Sequence, residues 1–510
     1  DNSYQHFIED FQNIYQNPEK INNFLNENSD NIEKKIENLF LRLDLDKNFC
    51  IYANGGFGRK EMFPTSDIDI SIIEMSKPKS YESLEKFVSS LWDEGYQIGH
   101  SVRSIQDIKK ISKQDVKEFT SYLTRRPIIT LNEIDSKITK ILLKLWSKDK
   151  FFNAKNDEQL VRHKDYHSTA YNLEPDLKES PGTLRDFQTA LWILQHCFGL
   201  DDLKSIEYSD NFKNDISNAI EAYNFIKTLR FASNVFTKKN RLNFEAQIDI
   251  SKIAKLKTKN TNRSVEIMMK KFYEMASILT HFNELVFETY KEKDLKIKKY
   301  TKDTYKLNNK IGIFSKEFFD DSMIFQIFIE IGRNKSIISI DTKTMDLLKK
   351  NLKLIDQRFR KNNDRARQFL EILKSKYNLS SILNSMKKLG ILQKYIPEFG
   401  DVVGQMQFDL FHVYTVDEHT FKVVRSMRQM KIFEDKDFQL ENELINKLPK
   451  IEILYIAGLF HDLGKGQNGD HSKIGAKTSY KFAKRLGMSD TDACLISWLV
   501  EKHLTMSSIS

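Results

Sequence analysis

The stretch IYANGGFGRKEMFPTSDIDISII, residues 51–73, decides the fold of the N-terminal part of the chain. A short apolar run meets the pair Gly55 and Gly56, and after a polar segment Asp67 and Asp69 alternate with two isoleucines. This order predicts a strand, a glycine turn, a short helix and a second strand. Successive side chains of a strand point to opposite faces, so the two aspartates should share one face while the isoleucines pack into the core.

Two carboxylates held on one face of a strand favour a divalent cation. Mg²⁺ takes oxygen ligands, usually one or two carboxylates together with substrate phosphates. Glycines just upstream, here Gly55 and Gly56, let backbone N–H groups approach such phosphates without an intervening Cβ. A glycine pair alone is usually only a turn, and an acid-apolar-acid strand often lies on a solvated edge. Their combination predicts a site for a nucleoside triphosphate on a metal ion.

A third carboxylate for this site has no clear position in the sequence. The glycine pair followed by acid-apolar-acid is similar to the pattern of the nucleotidyltransferase superfamily, whose members commonly add an acid from a later strand. Here that strand, IGHSVR, carries His100 and Arg103 instead. Asp107 and Asp115 are the remaining candidates.

The composition is that of an ordinary globular protein, with 40% hydrophobic and 30% charged residues over 510 positions. The net charge of +9 is spread along the chain, so a nucleic-acid partner is not required and is not expected. No apolar run approaches the ~18 residues that span a bilayer. Three dispersed cysteines without a CxxC pair indicate a reduced compartment. With no signal-like start, the protein is expected to be cytoplasmic.

A dense group of hydrogen-bonding side chains lies between residues 160 and 200. It includes Arg185 and leads into a predicted helix, in YNLEPDLKESPGTLRDFQTALW. The group predicts a nucleotide or partner pocket, although helix capping by Ser180 and Pro181 explains part of it equally well. Residues 210–400 read as helical and charge-rich, with apolar stripes that belong to a core, and predict scaffold and docking surface.

A second set of metal-ligating residue types begins near residue 401. Its members are His412, His419, His461, Asp462, Lys465, Asp470, His471 and His503. Imidazoles and carboxylates gathered from several helices suit a metal site that activates water. A lone buried histidine is more often a hydrogen-bonded core residue. The adjacent His461 and Asp462 at the end of an apolar helix, in FHDLGKG, are instead typical of an HD-type phosphohydrolase domain.

Together these segments resemble the GlnD family of bifunctional uridylyltransferase/uridylyl-removing enzymes. The resemblance is carried by GGFGRKEMFPTSDIDI, IGHSVR, YNLEPDLKESPGTLRDFQTALW, GQMQFDLFHVYTVDEHTFKVV and LFHDLGKGQNGDHSKIGA, over about residues 55–505. It implies transfer of UMP from UTP to a tyrosine of a PII signal protein, with release of pyrophosphate. It also implies hydrolysis of UMP-tyrosine at the separate HD site. The expected cofactors are Mg²⁺ or Mn²⁺ at the transferase site and a divalent metal at the HD site.

The resemblance and the residue types together assign roles by position. Metal ligation and catalysis in the transferase site fall to Asp67 and Asp69. Phosphate and nucleotide contacts are expected from Gly55, Gly56, Arg59, Ser66 and Arg185. Metal ligation in the HD site is expected from His419, His461 and Asp462, with His471 and His503 as second-metal or phosphate contacts. Lys465 is expected to neutralise a phosphodiester there.

Two departures from the family pattern matter. Thr183 stands where a second glycine is usual, which leaves open how closely the backbone approaches at that turn. The family continues beyond the HD domain into two ACT domains that sense glutamine, and the sequence stops before them. We therefore expect a weak glutamine response, and a last HD-site acid beyond Ser510.

The predicted fold is α+β and mostly helical. It comprises N-terminal helices at 1–47 that pack on the head, an α/β nucleotidyltransferase head with a mixed sheet at 48–140, a helical middle domain at 141–400 and an all-α HD domain at 401–510. Two rival interpretations remain, a tRNA CCA-adding-type nucleotidyltransferase with an HD domain and a catalytically silent regulator that binds nucleotide or PII. An alarmone synthetase/hydrolase places its HD domain first, which the order of the two sites contradicts.

Overall fold

The computed structural model describes most of the chain. The described residues are 4–45, 48–78, 80–130, 132–166, 169–210, 212–256, 260–315, 320–405, 415–432, 439–465 and 470–505. They form two units, Asp1–Phe287 and Glu288–Ser510. His412, one of the candidate metal ligands, lies outside the described residues.

The first unit contains a four-stranded sheet. Its strands are β1 Phe49–Ala53, β2 Ile68–Glu74, β3 Ile98–Ser104 and β4 Arg126–Ile129, in the order β3-β2-β1-β4. β1 runs antiparallel to β2 and β4, whereas β2 and β3 are parallel. The mixed sheet predicted for the head is therefore confirmed, as is the strand, glycine turn, short helix and strand order that leads into it.

Helices make up most of the rest of this unit. They are α1 Gln5–Gln16, α2 Ile21–Arg42, α3 Gly55–Gly58, α4 Glu82–Asp93, α5 Ile105–Gln114, α6 Val116–Leu123, α7 Asn132–Leu142, α8 Lys148–Asp165, α9 Leu184–Ile193, α10 Leu203–Glu207, α11 Ile216–Thr237, α12 Phe244–Ile253 and α13 Thr261–Glu292. A 3₁₀ turn, Pro18–Lys20, links α1 to α2, and a π-helical turn, Leu194–Phe198, follows α9 directly.

The two faces of strand β2 differ, since one packs into the hydrophobic core and the other carries the acidic side chains. Ile68 and Ile70 are at most 2% exposed and share a hydrophobic core with Phe87 of α4. Asp67 and Asp69 alternate with them and lie on the opposite face. The strand period thus separates the apolar and the acidic side chains, as the sequence predicted.

The second unit contains a small sheet that the sequence analysis missed. Its strands are β5 Lys298–Lys299, β6 Thr304–Leu307, β7 Lys310–Ile313 and β8 Ser339–Ile340. The expectation of helix throughout 210–400 was wrong here. Apolar residues alternate with other residues on both sides of Asn308 and Asn309, and Asn308 adopts a φ of 57°. A two-residue asparagine turn between alternating strands is a hairpin signal.

The helices of the second unit share one core with this sheet. They are α14 Met323–Arg333, α15 Thr342–Lys350, α16 Gln357–Lys361, α17 Asn363–Leu373, α18 Leu379–Lys388, α19 Ile391–Tyr395, α20 Pro397–Val402, α21 Val416–Ile432, α22 Gln439–Lys447, α23 Ile451–Phe460, α24 His471–Arg485 and α25 Asp490–Glu501, with a 3₁₀ turn at Leu352–Leu354. The core runs from Ile311 to Val500 and crosses the boundary predicted at residue 400. The four-part division of the chain stays a prediction. Among the described residues, no helix is both long and apolar enough to cross a membrane.

Candidate active sites

The carboxylate of Asp69 lies in a slot between two glycines. A Cβ atom built on Gly55 would stand 2.7 Å from Asp69 Oδ2, and one built on Gly99 would stand 2.7 Å from Oδ1. Real Cβ atoms do not approach other atoms so closely, so a side chain at either position would displace the carboxylate. The slot therefore fixes the direction in which Asp69 presents its oxygens.

Strand β3 supplies one wall of this slot. Gly99 pairs with Asp69 across the parallel strands, so it lies beside the aspartate on the same face of the sheet. His100 contacts the ring of Trp92, and Arg103 donates to Glu118 at 2.6 Å. β3 therefore contributes no third carboxylate to the site, and its Gly99 instead leaves space for the side chain of Asp69. A glycine inside a predicted strand was the available signal of such a close approach.

The glycine turn is tied to the sheet on both sides. Gly55 adopts a φ of 55°, which favours glycine independently of the slot. The Asn54 N–H donates to the carbonyl of Asp69 at 2.9 Å, and its side-chain amide donates to Ser71 Oγ at 2.9 Å. The Ser66 hydroxyl accepts from the Phe63 N–H at 3.1 Å, which closes the turn that leads into β2.

A cleft of about 920 Å³ lies beside the two aspartates. The seven transferase-site residues expected from the sequence all line it: Gly55, Gly56, Arg59, Ser66, Asp67, Asp69 and Arg185. Its volume is in the range of small-molecule sites. The structure thus brings together residues from the glycine turn, from the start of β2 and from α9.

Basic side chains from several elements line the same cleft. They include Arg59, Lys155, Arg162, Lys178, Arg185 and Arg230. Burial raises the pKa of Asp69 and the neighbouring Asp67 raises it further, whereas Lys178 and Arg59 act to lower it. Two carboxylates that repel one another beside a group of cations suit a divalent ion bridged to an anionic ligand such as a polyphosphate.

Arg59 is held by a carboxylate that the sequence analysis did not single out. Arg59 Nε donates to Glu61 Oε2 at 2.9 Å. Tyr223 of α11 donates to Glu61 Oε1 at 2.6 Å, and the Gln188 amide of α9 donates to Oε2 at 3.3 Å. Glu61 therefore ties the glycine-turn segment to two helices and orients Arg59 at the cleft.

The polar group predicted between residues 160 and 200 is organised around Asp186. Its carboxylate is buried and accepts from Arg162 Nη2 at 2.6 Å and from the Gly182 N–H at 2.7 Å. Arg185, the next residue before it in α9, donates instead to Glu179 at 3.1 Å. Part of the group is thus structural, and its role at the cleft is to orient arginines.

Thr183 causes no strain at its turn. Its φ of −112° and ψ of −164° are ordinary extended values, and its hydroxyl donates to the Ser180 carbonyl at 2.6 Å. Gly182 has a φ of 74°, and a Cβ there would meet the Ala276 carbonyl oxygen at 2.6 Å. Only the first of the two family glycines is therefore needed for this backbone path.

The structure separates the two candidates for a third carboxylate. Asp107 accepts from the Ser104 hydroxyl at 2.6 Å in a helix capping box and does not line the cleft. Asp115 lines the cleft, but its side chain caps α6 by accepting from the Lys117 N–H at 2.7 Å. Further cleft acids come from α8, namely Asp157, Glu158 and Asp165. A helix thus adds further carboxylates to the lining of the cleft.

The second candidate site lies at the end of α23. Two groups of side chains have ligand atoms within 4.8 Å of one another, namely His419, His461 and Asp462, and then Asp462, His471 and His503. We call these five residues the Asp462 cluster. Asp462 belongs to both groups, so one carboxylate can serve two ions. Asp470 instead caps α24 by accepting from the Ser472 N–H at 3.0 Å.

The histidines of the Asp462 cluster are prepared for metal ligation. Nδ1 of His461 lies 2.8 Å from the Gly458 carbonyl oxygen, and Nδ1 of His503 lies 2.7 Å from that of Val500. Because a carbonyl only accepts, each Nδ1 donates to it, and Nε2 is the ring nitrogen that can bind a metal ion when the imidazole is neutral. Nε2 of His471 and of His503 is buried without a hydrogen-bond partner in the described part of the chain. A metal ion would satisfy both atoms.

Asp462 is held in its charged form. Burial disfavours the carboxylate, but His461, His503 and Lys465 hold the pKa of Asp462 well below its usual range. Lys465 Nζ lies 2.8 Å from Oδ2 of Asp462. An anionic carboxylate among imidazole nitrogens is a suitable ligand set for a divalent ion.

The chain matches three family models in order along the sequence. They are GlnD PII-uridylyltransferase over residues 150–287, uridylyltransferase GlnD third domain over 305–395, and HD domain over 416–510. Curated relatives named bifunctional uridylyltransferase/uridylyl-removing enzyme are similar over most of the chain. The one from Azotobacter vinelandii is 34% identical over 91% of this chain and 53% of the relative. The one from Hydrogenovibrio crunogenus is 33% identical over 94% of this chain and 56% of the relative.

The HD-domain match at 416–510 covers the whole Asp462 cluster and defines a metal-dependent hydrolase fold. The two GlnD models account for much of the chain before it. The chain belongs to the GlnD PII-uridylyltransferase family, and the resemblance inferred from the sequence is confirmed. The chain spans about half the length of the curated relatives it matches.

Proposed function

We propose that this chain carries both activities printed in its relatives' names. It transfers UMP from UTP to a tyrosine of a PII-type signal protein at the cleft beside Asp67 and Asp69. It removes UMP from that tyrosine by hydrolysis at the Asp462 cluster. The observation that carries this proposal is that one chain holds two chemically different sites, an acid pair in a basic cleft and a histidine-rich cluster around a buried aspartate.

In the transfer reaction, the tyrosine oxygen attacks the α-phosphorus of UTP. The bond from that phosphorus to the bridging oxygen breaks, pyrophosphate leaves and the hydroxyl proton is released. Asp67 and Asp69 would hold Mg²⁺ or Mn²⁺, which when bound would neutralise charge on the phosphate oxygens. Lys178, Arg59 and Arg185 attract and orient the polyphosphate, so most of the catalysis is positioning and electrostatics.

In the removal reaction, a water oxygen attacks the phosphorus of UMP-tyrosine. The phosphorus–tyrosyl oxygen bond breaks, the tyrosine oxygen takes up a proton and UMP leaves. A divalent ion bound at the Asp462 cluster would lower the pKa of water towards neutrality. His419, His461 and Asp462 would hold this ion, His471 and His503 would hold a second ion or the phosphate, and Lys465 would neutralise the phosphodiester. The glutamine response implied by the family resemblance stays a prediction.

The direct test is transfer of labelled UMP. With α-³²P-UTP and Mg²⁺, the 510-residue chain should label a purified PII-type protein and fail to label a variant in which the acceptor tyrosine is phenylalanine. After UTP has been removed, further incubation of the labelled protein with the same chain should release the label as UMP. In a parallel reaction with α-³²P-CTP, labelling of tRNA, together with no transfer from UTP to the PII-type protein, would contradict the proposal and support the CCA-adding alternative.

The slot around Asp69 gives a second prediction. Gly99→Ala should lower UMP transfer by about tenfold or more, because the new methyl group pushes the carboxylate out of place. Raising the Mg²⁺ concentration should restore part of the activity, whereas hydrolysis should not change. Ser101→Ala, two residues further along the same face of β3, is the matched control and should behave like the unmodified chain. Full transfer activity in a folded Gly99→Ala chain would show that the slot is not needed.

A further inference from the structure

We propose that a side pocket of the transferase cleft binds the nucleobase of the nucleoside triphosphate. This inference rests on the proposed transferase function and adds the part of the substrate that the aspartates and cations do not contact. The side pocket has a volume of about 210 Å³ and lies between α9, α10 and α11. Its apolar lining includes Leu191, Leu200, Ile206 and Tyr223, and Asp201 and Asp202 line it as well.

The side pocket adjoins the cleft. Arg59, Gln188 and Trp192 line both spaces. Arg59 also acts electrostatically on Asp69, so the wall shared by the two spaces is near the acid pair. A single ligand can therefore extend from the aspartates past Arg59 into the pocket. A nucleoside triphosphate has the matching order of groups, with polyphosphate at one end and a planar ring at the other.

One helix builds much of this connection. Gln188, Leu191, Trp192 and Gln195 follow at intervals of three, four and seven residues from the first, which places them on one face of α9 and its continuation. Gln195 lies in the π-helical turn Leu194–Phe198. π-Helical turns are frequent at functional sites, where they reposition a side chain relative to a regular helix.

Of the two glutamine side chains that line the side pocket, one is hydrogen-bonded within the protein and the other can bind a ligand. The Gln188 amide donates to Glu61 and to Tyr223 at 3.3 and 3.0 Å, and its oxygen accepts from Arg185 at 3.1 Å. The Gln195 side chain makes no hydrogen bond within the described part of the chain, although it lines the pocket. An amide offers one donor group and one acceptor, which suits the edge of a base.

A nucleobase fits this location better than the acceptor tyrosine. A tyrosine projected from the surface of a folded protein needs the open mouth of the cleft. The base of a free nucleotide can enter a small pocket at its side, and apolar walls suit its ring faces. The tyrosine is therefore the competing occupant that the experiment must distinguish.

The test compares binding of UTP and of inorganic tripolyphosphate, each with Mg²⁺, by isothermal titration calorimetry on the 510-residue chain. Leu191→Trp, which fills the side pocket, should weaken UTP binding by about tenfold or more. Gln195→Ala should weaken it by about fivefold, the usual effect of one lost hydrogen bond. Tripolyphosphate should bind all variants equally, because it occupies only the cleft. Leu160→Trp is the matched control, since that side chain is 55% exposed and lines neither space.

Several outcomes would overturn the inference. Unchanged UTP binding by a folded Leu191→Trp chain, or equal weakening of UTP and tripolyphosphate, would exclude a base subsite. An unchanged UTP affinity with a raised KM for the PII-type protein would assign the pocket to the acceptor tyrosine. If Leu191→Trp fails to fold, Gln195→Ala decides by the same comparison. An unmodified chain that binds neither ligand would instead refute the transferase function itself.

Discussion

Replacing Asp67 and Asp69 together with asparagine is expected to abolish UMP transfer and to leave hydrolysis of the modified acceptor intact. Asparagine keeps the shape of each side chain but removes both negative charges that hold the metal ion. The loss of transition-state stabilisation should lower transfer by a factor on the order of 10³ or more. Initial rates of ³²P incorporation and of UMP release, measured on the same preparation, give the two activities separately.

This variant should also remain folded. Burial and Asp67 raise the pKa of Asp69, so the charged form of Asp69 is less stable in the folded protein than in the unfolded one. Replacing it with a neutral isostere therefore costs no stability from this source. Asp93→Asn, at the exposed end of α4, is the matched control and should retain both activities. Loss of hydrolysis along with transfer, in a chain with an unchanged melting temperature, would refute the assignment of two separate sites.

Replacing His461 and Asp462 with alanine is expected to produce the opposite result, with hydrolysis abolished and UMP transfer retained. Asp462 belongs to both groups of candidate metal ligands, so its removal dismantles the whole Asp462 cluster. The water that attacks UMP-tyrosine then loses its activating ion. UMP release from labelled PII-type protein should fall to background, while labelling by UTP proceeds.

The stability of this second variant needs a separate check. Asp462 is 2% exposed and forms an ion pair with Lys465, so removing it breaks a buried ion pair and costs about 3–5 kcal/mol. Asp462→Asn keeps the side-chain volume and supplies a milder variant with the same expected loss of hydrolysis. Asp364→Asn, on the exposed surface of α17, is the matched control. Retained hydrolysis in either cluster variant would show that the removal reaction takes place elsewhere.

The first site shows how far local sequence reaches. The glycine turn and the alternation of aspartates with isoleucines depend on backbone geometry within a few residues, and the sequence predicted both. The role of Gly99 depends on the register between β2 and β3, which no local pattern encodes. The same holds for Glu61, whose partners Gln188 and Tyr223 come from distant helices.

In the second unit, the sequence predicted the histidine–aspartate pair but not the small sheet. The apolar helix ending in His461 and Asp462 was evident, because a long hydrophobic run and an adjacent ligand pair are local signals. The small sheet was missed, because its strands are two to four residues long and too short for a reliable period. Its pairing of β7 with β8 also joins segments far apart in the chain.

The sequence by itself determined which residue types this protein offers to a metal ion and on which face of β2 the acids lie. Only the tertiary structure decided which of them meet. It placed Asp69 between two glycines, sent Asp107 into a helix cap and gathered histidines from α21, α24 and the end of α25 around Asp462. The reason is physical: face and turn follow from neighbours along the chain, whereas convergence of side chains follows from packing between elements.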